Sequence, residues 1–440
     1  MKKYTPIIGL EIHAELKTKS KMFCGCKNDP FNAPQPNIYV CPICMGMPGG
    51  LPVANKQAIE WTVQLGMALG CKINHFSKFD RKHYFYPDLP KGYQISQYDL
   101  PFCYDGFVET ADGPVKIRRI HLEEDTAKMQ HKVVDGKKVS LIDFNRSSLP
   151  LVELVSEPDI KNGQQAAEYG KKIRQMLRFL NIADCDMEQG GMRLEANISL
   201  QRPDETELPG YKVEVKNINS FRFLQQAIDF EITRQAKILD TGDIPVQETR
   251  GWDSIKNETF SQRIKEEAAD YRYFPDPDLP PIRFSEEQLA NLKSSLPELP
   301  EILIKKWQER FGIEERFAKE LIKNHRLLEK YNLLLVQSIE AGISANELVK
   351  AIINKKINFD EQSSISEVVQ SFKQSKETDS IDESEIVSAI EVVLSTNQDA
   401  VEKYKSGKTQ VIGFLIGQIM RQIGKKIDPA IVKKILESKL

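Results

Sequence analysis

Alternation of polar and apolar residues is the feature that most restricts how this chain can fold, and it is clearest near the N-terminus. Ile8–Leu16 has an apolar residue at every second position, and Glu11, His13 and Glu15 lie between them. Successive side chains of a strand point to opposite faces, so one face is expected to enter a core. The other face then carries groups that bind divalent metals or transfer protons. An ordinary solvated sheet face is the alternative that this strand alone leaves open.

Two later segments repeat the alternation. Met192–Leu200 places Arg193, Glu195, Asn197 and Ser199 opposite an apolar face, and Tyr211–Lys216 places Glu214 between two lysines. A loop separates them, which predicts neighbouring antiparallel strands.

Two other segments carry acids in apolar surroundings. Leu151–Glu157 has Glu153 within an apolar run, and Ile117–Asp125 ends in three acids that include Glu124. Burial of an unpaired carboxylate is costly, so Glu153 requires a partner such as a metal, an arginine or a protonated ligand. The agreement between strands favours a shared acidic sheet surface over a merely solvated face.

Length and charge restrict the class of protein. A chain of 440 residues is expected to form two or three domains. The formal net charge is −2, so no global basic field indicates nucleic acid, but residues 401–440 hold nine Lys or Arg against three Asp or Glu. No apolar run reaches membrane-spanning length, and the N-terminus lacks the apolar core of a signal peptide, so we expect no membrane contact and a cytosolic location.

Four of the seven cysteines are grouped, with one residue between Cys24 and Cys26 and two between Cys41 and Cys44. Two close pairs of thiolates can converge on one tetrahedral ion, and a cytosolic chain is not expected to use disulfides. We predict a structural zinc site, with reduced free thiols as the alternative. The other three cysteines are predicted to be small buried hydrophobes.

The order of predicted elements indicates the fold class. Strand-like runs occur in groups up to about residue 285, with helices predicted at 55–69 and 164–180, which favours an α+β fold with a mostly antiparallel sheet. Six prolines between Pro275 and Pro300 mark a boundary, and only helices are predicted beyond it. Gly413 and Gly417, four residues apart in a predicted helix, would allow another helix to approach closely.

Several further motifs bear on function. Ser406–Thr409 resembles the end of a P-loop, but Glu402 stands where the first glycine is required. No dinucleotide fingerprint and no hydrolytic nucleophile motif is present. Phe79–Asp88 and Tyr271–Asp276 combine cations with aromatics, which suits either packing under a loop or contact with phosphates and bases.

The specific motifs together identify a family. The chain resembles the B subunits of bacterial aspartyl/glutamyl-tRNA amidotransferases from end to end, with the motifs in family order. The segments that carry this resemblance are Ile8–Leu16, Phe79–Asp88, Tyr93–Gln97, His121–Asp125, Asp143–Arg146, Val155–Asp159, Glu195–Ser199, Lys216–Ser220, Gln247–Arg250, Asp270–Pro275, Val401–Lys408 and Gly413–Met420.

The resemblance implies a domain order and a reaction. A cradle domain related to glutamine synthetase and guanido kinases is expected at 1–290, with the zinc insertion near 24–44, then a helical domain at 291–375 and a basic, tRNA-binding helical tail at 376–440. ATP would activate the side-chain carboxylate of a misacylated Glu-tRNA(Gln) or Asp-tRNA(Asn) as an acyl phosphate, which ammonia converts to the amide. Ammonia would come from a separate amidase (glutaminase) in the same complex, and a small third subunit would brace the pair.

Site residues follow from the motifs. The candidates for the acidic face are Glu11, His13, Glu124, Glu153, Glu195 and Glu214, with Glu11, His13 and Glu124 as magnesium ligands and Glu15 left out. Arg81, Lys82 and Arg146 are candidates for contact with phosphate or the tRNA acceptor end. Cofactors are therefore ATP, Mg²⁺ and structural Zn²⁺.

Two rival functions remain at this point. One is a stand-alone ATP-dependent carboxylate–amine ligase, and the other is a zinc-bearing RNA-binding protein without catalysis. The sequence does not distinguish the two tRNA substrates or reveal the path of ammonia.

Overall fold

The chain forms two compact units, Met1–Leu303 and Ile304–Leu440, in a computed structural model. The structure describes residues 4–264, 270–376, 383–424 and 427–440. The three domains predicted from the sequence stay a prediction in their number and boundaries.

The strands of the described ranges all lie in the first unit. In chain order they are β1 Thr5–Glu15, β2 Lys72–Ile73, β3 Phe76–Ser77, β4 Asp80–His83, β5 Tyr93–Ser96, β6 Cys103–Val108, β7 Val115–Glu124, β8 Lys128–Val134, β9 Lys137–Asp143, β10 Pro150–Ser156, β11 Met192–Gln201, β12 Val213–Ile218, β13 Glu248–Asp253, β14 Glu258–Ile264, β15 Phe274–Pro275 and β16 Ile282–Arg283.

The helices are distributed over both units. They are α1 Lys56–Ala68, α2 Gly163–Phe179, α3 Phe221–Asp240, α4 Glu286–Ser294, α5 Pro300–Phe311, α6 Glu315–Ile322, α7 Leu328–Glu340, α8 Ala345–Ile353, α9 Ile365–Lys376, α10 Glu383–Thr396, α11 Gln398–Lys405, α12 Ile412–Ile423 and α13 Pro429–Lys439. Among the helices in these ranges, none is both long and apolar enough to cross a membrane.

A nine-stranded sheet organises the first unit. Its strand order is β14-β13-β12-β11-β1-β10-β7-β6-β2, and all neighbours are antiparallel except β12 and β13. This confirms an α+β chain with a mostly antiparallel sheet, and the predicted neighbours β11 and β12 do pair.

The alternation read from the sequence determines which face of the sheet is buried. Ile8, Leu10 and Ile12 of β1 are fully buried and share one core with side chains of α1, α2 and α3. Because the period of a strand is two, this burial turns the intervening acids to the opposite face. The helices thus cover one face and leave the other for chemistry.

The helix boundaries follow local signals. Asn55 caps α1 by accepting a hydrogen bond from the backbone N–H of Ala58, and Asn162 caps α2 through that of Gln165. Both helices lie within one residue or so of their predicted bounds. Asp428 caps α13, whose first residue is Pro429.

The second unit is helical throughout its described part. Trp307 is fully buried and donates from Nε1 to Asn332 Oδ1 at 2.6 Å. A separate apolar cluster joins α10, α12 and α13 through Ile390, Leu415 and Leu436. A Cβ at Gly413 or Gly417 would have no atom of the described residues within 4 Å, so no described helix packs closely there, and the expected close approach of a helix stays a prediction.

Candidate active site and metal centres

The polar face is assembled by the register of the central strands. Glu11 lies opposite Glu195 between β1 and β11, and His13 lies opposite Glu153 between β1 and β10. Glu153 in turn lies opposite His121 between β10 and β7. Directly opposite residues share a face, so acids and imidazoles from four strands converge there.

The first cluster, called here the imidazole–carboxylate cluster, consists of His13, His121, Glu123 and Glu153. Oε2 of Glu153 is 3.3 Å from His13 Nε2 and 3.1 Å from His121 Nε2. Oε2 of Glu123 is 3.6 Å from His121 Nε2 and accepts a hydrogen bond of 2.8 Å from Ser96 Oγ. One ligand atom each from His13, Glu123 and Glu153 lies within 4.8 Å of the others, as a shared metal ion requires.

Charge is shared within this cluster. Burial disfavours the imidazolium, but the neighbouring Glu153 and Glu123 outweigh it and raise the pKa of His121 to about 9. At His13 too, burial lowers the pKa, but the charges of Glu153 and Glu123 outweigh it, so the pKa is raised. Burial acts against the carboxylate of Glu153, yet the two imidazoles hold its pKa well below the usual value. These shifts favour the imidazolium forms of His13 and His121 and the ionised form of Glu153.

The second cluster, called here the triple-carboxylate cluster, consists of Glu11, Glu195 and Glu214, whose oxygens also lie within 4.8 Å of one another. Lys216 Nζ is 2.8 Å from Glu195 Oε2 and 3.4 Å from Glu214 Oε1. Glu11 accepts a 2.8 Å hydrogen bond from Asn197 Nδ2. One lysine thus pairs directly with two of the three carboxylates, and Glu11 relies on an amide.

The negative charge of the triple-carboxylate cluster is not fully neutralised at Glu11. Burial is the main cause that raises its pKa, and the charges of Glu153, Glu195 and Glu214 raise it further. A divalent ion would remove that repulsion, and three carboxylate oxygens are a donor set that suits a hard cation. The residues present therefore fit magnesium here.

A cavity of about 360 Å³ adjoins the triple-carboxylate cluster at Glu11. Leu208 and Pro209 contribute apolar surface, and Arg118 and Lys212 contribute charge. Its volume falls in the range of about 300–1,000 Å³ that small-molecule pockets occupy.

Glu124 and Glu15 lie apart from the two clusters. Ile120 and Leu122 of β7 enter the core, so parity places His121 and Glu123 on the polar face and turns Glu124 away. Glu124 instead binds Lys91 Nζ at 2.8 Å and the backbone N–H of Ile95 at 2.9 Å. In the structure Glu123, and not Glu124, lies beside His13, and the magnesium role predicted for Glu124 stays a prediction.

Glu15 meets Asp125 at the end of the strands. Burial and then the neighbouring Asp125 raise the pKa of Glu15 well above its usual value. Arg193 Nη2 donates to Asp125 Oδ1 at 3.0 Å. The guanidinium of Arg193 beside these two carboxyl groups makes Glu15 part of a charge network at the end of the strands.

Three predicted cations lie in different surroundings. Arg81 pairs with Asp276 at 2.8 Å and Asp278 at 3.0 Å, and stacks 4.4 Å from the centre of the Tyr93 ring. Arg146 donates to Thr126 O at 3.0 Å and lies 3.6 Å from Asp125. Their guanidinium groups are largely committed within the chain.

Lys82 differs from both arginines. Its ammonium lies 4.9 Å from the centre of the Tyr271 ring and 5.9 Å from that of Tyr84. Burial opposes its charge, but Glu123, Tyr273 and Glu153 raise the pKa of Lys82. Within the described ranges it has no carboxylate at ion-pair distance, so it is a charged donor held beside the imidazole–carboxylate cluster.

The four grouped cysteines converge, and all seven are free thiols. The Sγ atoms of the set lie within 4.8 Å of one another, and those of Cys41 and Cys44 are 3.8 Å apart. A tetrahedral zinc with Zn–S bonds of about 2.3 Å places sulfurs about 3.8 Å apart. A hydrogen bond from Cys24 and then the charge of Lys21 lower the pKa of Cys44 to about 5. The donor set fits a structural metal.

Four polar residues that lie in these clusters were not among the predicted site residues: His121, Glu123, Asn197 and Lys216. The alternation of Ile120 and Leu122 would have selected His121 and Glu123, because it leaves them on the polar face. Asn197 and Lys216 carry the same parity as Glu195 and Glu214 in their own strands. Arg81 and Lys82 follow one another in β4, so the same alternation places them on opposite faces.

The two acidic clusters on one sheet and the four converging thiols are the donor sets of a metal-binding enzyme, and comparison with known proteins specifies the family. A family model described as the GatB/GatE catalytic domain matches residues 6–290, and one described as the GatB domain matches residues 318–440. The chain belongs to the family of aspartyl/glutamyl-tRNA(Asn/Gln) amidotransferase B subunits, as its motifs predicted.

Relatives bearing that name match over nearly their whole length. The protein from Thermodesulfovibrio yellowstonii is 41% identical over 474 residues, covering 98% of each chain. Those from Dehalococcoides mccartyi and Ruminiclostridium cellulolyticum are also 41% identical, covering 100% of this chain and 99% and 98% of their own.

Proposed function

We propose that this chain activates and amidates the side-chain carboxylate of Glu-tRNA(Gln), Asp-tRNA(Asn) or both, as the B subunit of a tRNA-dependent amidotransferase. The observation that carries the proposal is the meeting of two metal-competent clusters on one face of the sheet. Membership of a family whose relatives bear the name of this activity supports it. A carboxylate is a poor electrophile, and ATP would convert it to an acyl phosphate that ammonia can attack.

The triple-carboxylate cluster is the place proposed for magnesium. Glu11, Glu195 and Glu214 would hold the ion, which supplies positive charge that neutralises the phosphates of ATP. Lys216 limits the negative charge of the cluster before the ion binds. The cavity beside Glu11 is the space proposed for the nucleotide.

The imidazole–carboxylate cluster has a different proposed task. Magnesium prefers oxygen ligands, so the ligation predicted for His13 is favoured less than that of the carboxylates. Binding of a metal there would require His13 to release its proton from Nε2. With the proton retained, His13 and His121 keep Glu123 and Glu153 ionised in a buried place.

Lys82 is proposed to contact the transferred phosphate. Its ammonium is held between aromatic rings, close enough to Glu123 and Glu153 for their charge to stabilise it. A phosphate oxygen would supply the direct hydrogen-bond acceptor. Arg81 and Arg146 are proposed to act on the substrate through the segments they fix, since carboxylates and carbonyl groups of the chain already engage them.

The remaining components are proposed from the family. Misacylated tRNA would bind the helical domain and basic tail, a separate glutaminase would deliver ammonia, and a small third subunit would brace the complex. Zinc is proposed as the ion of the four cysteines, and the cytosol as the location. The absence of a hydrolytic nucleophile motif from the sequence agrees with a separate glutaminase.

Glu11→Gln tests this assignment in the reconstituted complex. Removing one negative oxygen should abolish ATP-dependent activation, because the magnesium site loses a charged ligand, while tRNA binding by filter retention stays within about twofold. Glu109→Gln, an exposed acid of the same unit, is the matched control and should leave turnover unchanged. Unchanged turnover in Glu11→Gln would refute the metal role.

Two assays separate the proposal from its rivals. A stand-alone ligase would amidate free glutamate with ammonia and ATP without tRNA, whereas the proposed function requires the misacylated tRNA. A non-catalytic RNA-binding protein would bind charged tRNA without hydrolysing ATP. Amidation measured on both mischarged tRNAs with all subunits present also identifies the physiological substrate.

A further inference from the structure

Lys21 is a fully buried lysine, with 0% of its surface exposed. Lysine is almost never buried completely unless its charge is paired. No carboxylate among the residues that the structure describes lies within ion-pair distance of it. The side chain must therefore find its compensation elsewhere.

The ammonium of Lys21 has two partners of different kinds. It donates to Phe144 O at 3.1 Å, and it lies 3.9 Å from Sγ of Cys44, which is itself buried. A carbonyl group offers a dipole, whereas a thiolate offers a full negative charge. The Cys44 sulfur is thus the group that can balance the buried cation.

The charge of a metal centre makes this contact significant. Four thiolates around one divalent ion leave two negative charges in excess. The backbone N–H of Cys41, 3.2 Å from Cys44 Sγ, offsets part of that charge as a dipole. We propose that Lys21 is the buried countercation of the four-cysteine metal centre, a positioning residue that makes metal binding and the burial of its own charge mutually dependent.

The same side chain joins the metal centre to the charge network of Asp125 at the end of the strands. Phe144 opens the segment Phe144–Ser148, and Ser148 O accepts a hydrogen bond of 2.7 Å from the N–H of Met22. Arg146, in the middle of that segment, pairs with Asp125 at 3.6 Å. Lys21 therefore anchors the segment that carries Arg146 while its ammonium lies 3.9 Å from a sulfur of the metal centre.

This inference rests on the proposed metal site, and Lys21→Met tests it in the full chain with zinc alone as the probe. Zinc affinity, measured by competition with a chromophoric chelator, should fall by about 10- to 100-fold, as changes to groups that support metal ligands do. With chelator present, Lys21→Met should lower the melting temperature by less than it does with zinc, because the two excess negative charges of the metal centre are then absent and Lys21 has less charge to balance. Lys27→Met is the matched control, since Lys27 is exposed in the same insertion and pairs with Asp29.

The zinc affinity and the change in melting temperature with and without zinc together distinguish the proposal from a packing role. If Lys21 merely filled space, the variant would melt lower with and without zinc by the same amount, and its zinc affinity would stay within about twofold. That result overturns the proposal. Lys27→Met should keep wild-type zinc affinity.

A second comparison does not depend on zinc, and it tests the pairing of Lys21 with Cys44 even if Lys21→Met folds poorly. Cys44→Ser removes the anionic partner and leaves Lys21 buried, so the double variant Lys21→Met/Cys44→Ser should melt about 2 °C or more above Cys44→Ser in chelator. A double variant that melts at or below Cys44→Ser contradicts the pairing. If the wild type takes up no zinc, the proposed metal site fails, and this comparison still decides the role of Lys21.

Discussion

Buried charge is the property that most distinguishes individual residues of this site. Glu153 was expected from the sequence to need a metal, an arginine or a protonated ligand as its partner, and in the structure its carboxylate lies beside the imidazoles of His13 and His121. Which partner it meets depends on a neighbour 32 positions away, His121, whose place follows from strand register. The local sequence shows that the buried carboxylate of Glu153 needs a partner, but the tertiary structure determines which residue that partner is.

The raised pKa of His121 gives a prediction for metal-free protein. Its value of about 9 exceeds the reference value of 6.5, so the stabilising contribution is fully present below pH 6.5. It is lost as pH rises through 9, because the unfolded chain releases the proton first. In chelator, the free energy of unfolding of the wild type should therefore decline between pH 6.5 and 9 relative to that of a variant without this imidazole.

His121→Gln should flatten that decline, since glutamine does not titrate. His131→Gln is the matched control, because His131 is exposed on β8, and it should preserve the wild-type slope. Equal slopes for wild type and His121→Gln would show that His121 does not hold the proton.

At the scale of elements, the period of two was the strongest guide. β1 and β11 alternate without interruption, and both strands, their faces and their acids were predicted from that pattern. β7 was harder, because its register against β10 shifts between Val155 and Ser156, and a run of three acids at its end offered three choices. Strands of two residues, such as β3 and β16, carry too few residues for any period to be read.

The crossing of α2 and α3 gives a prediction for helix packing. A Cβ at Gly163 would lie 2.5 Å from Gln225 O and 3.0 Å from Gln225 Cα, both backbone atoms of α3. Because backbone cannot rotate away as a side chain can, Gly163→Ala should destabilise the first unit by about 1–3 kcal/mol. Denaturant unfolding followed by circular dichroism measures the loss.

Gly417→Ala is the contrasting control in α12. Its Cβ would have no atom of the described residues within 4 Å, so alanine should stabilise that helix by about 0.5–1 kcal/mol through its higher propensity. Similar losses at the two positions would mean that helix entropy, and not the α2–α3 contact, governs the effect at Gly163.

At the scale of the whole molecule, long-range pairings limited what the sequence could reveal. The resemblance supplied the family and the reaction, and spacing alone indicated the four-cysteine centre. The contact of Lys21 with Phe144 joins residues 123 positions apart and leaves no local pattern. Arg81, predicted to contact phosphate or the tRNA acceptor end, pairs in the structure with Asp276, 195 positions away, and the predicted contact stays a prediction.

The distribution of charge over the chain leads to the last prediction. The formal net charge is −2, but Lys403, Lys405 and Lys408 are exposed within a few residues of one another in the tail. If the tail contacts tRNA phosphates, each lysine in contact contributes about one unit to the slope of log affinity against log salt. The triple change of these lysines to glutamine should weaken tRNA binding and reduce that slope by up to about three.

The matched control changes Lys56, Lys116 and Lys237, which are exposed in the first unit, to glutamine and removes the same net charge. It should leave the slope unchanged, because a general loss of positive charge does not remove phosphate contacts. Filter binding of misacylated tRNA between about 50 and about 200 mM salt measures both slopes. A tail variant with the wild-type slope would remove residues 403–408 from the tRNA-binding surface, whereas equal reductions in both variants would mean that the tail acts through net charge alone.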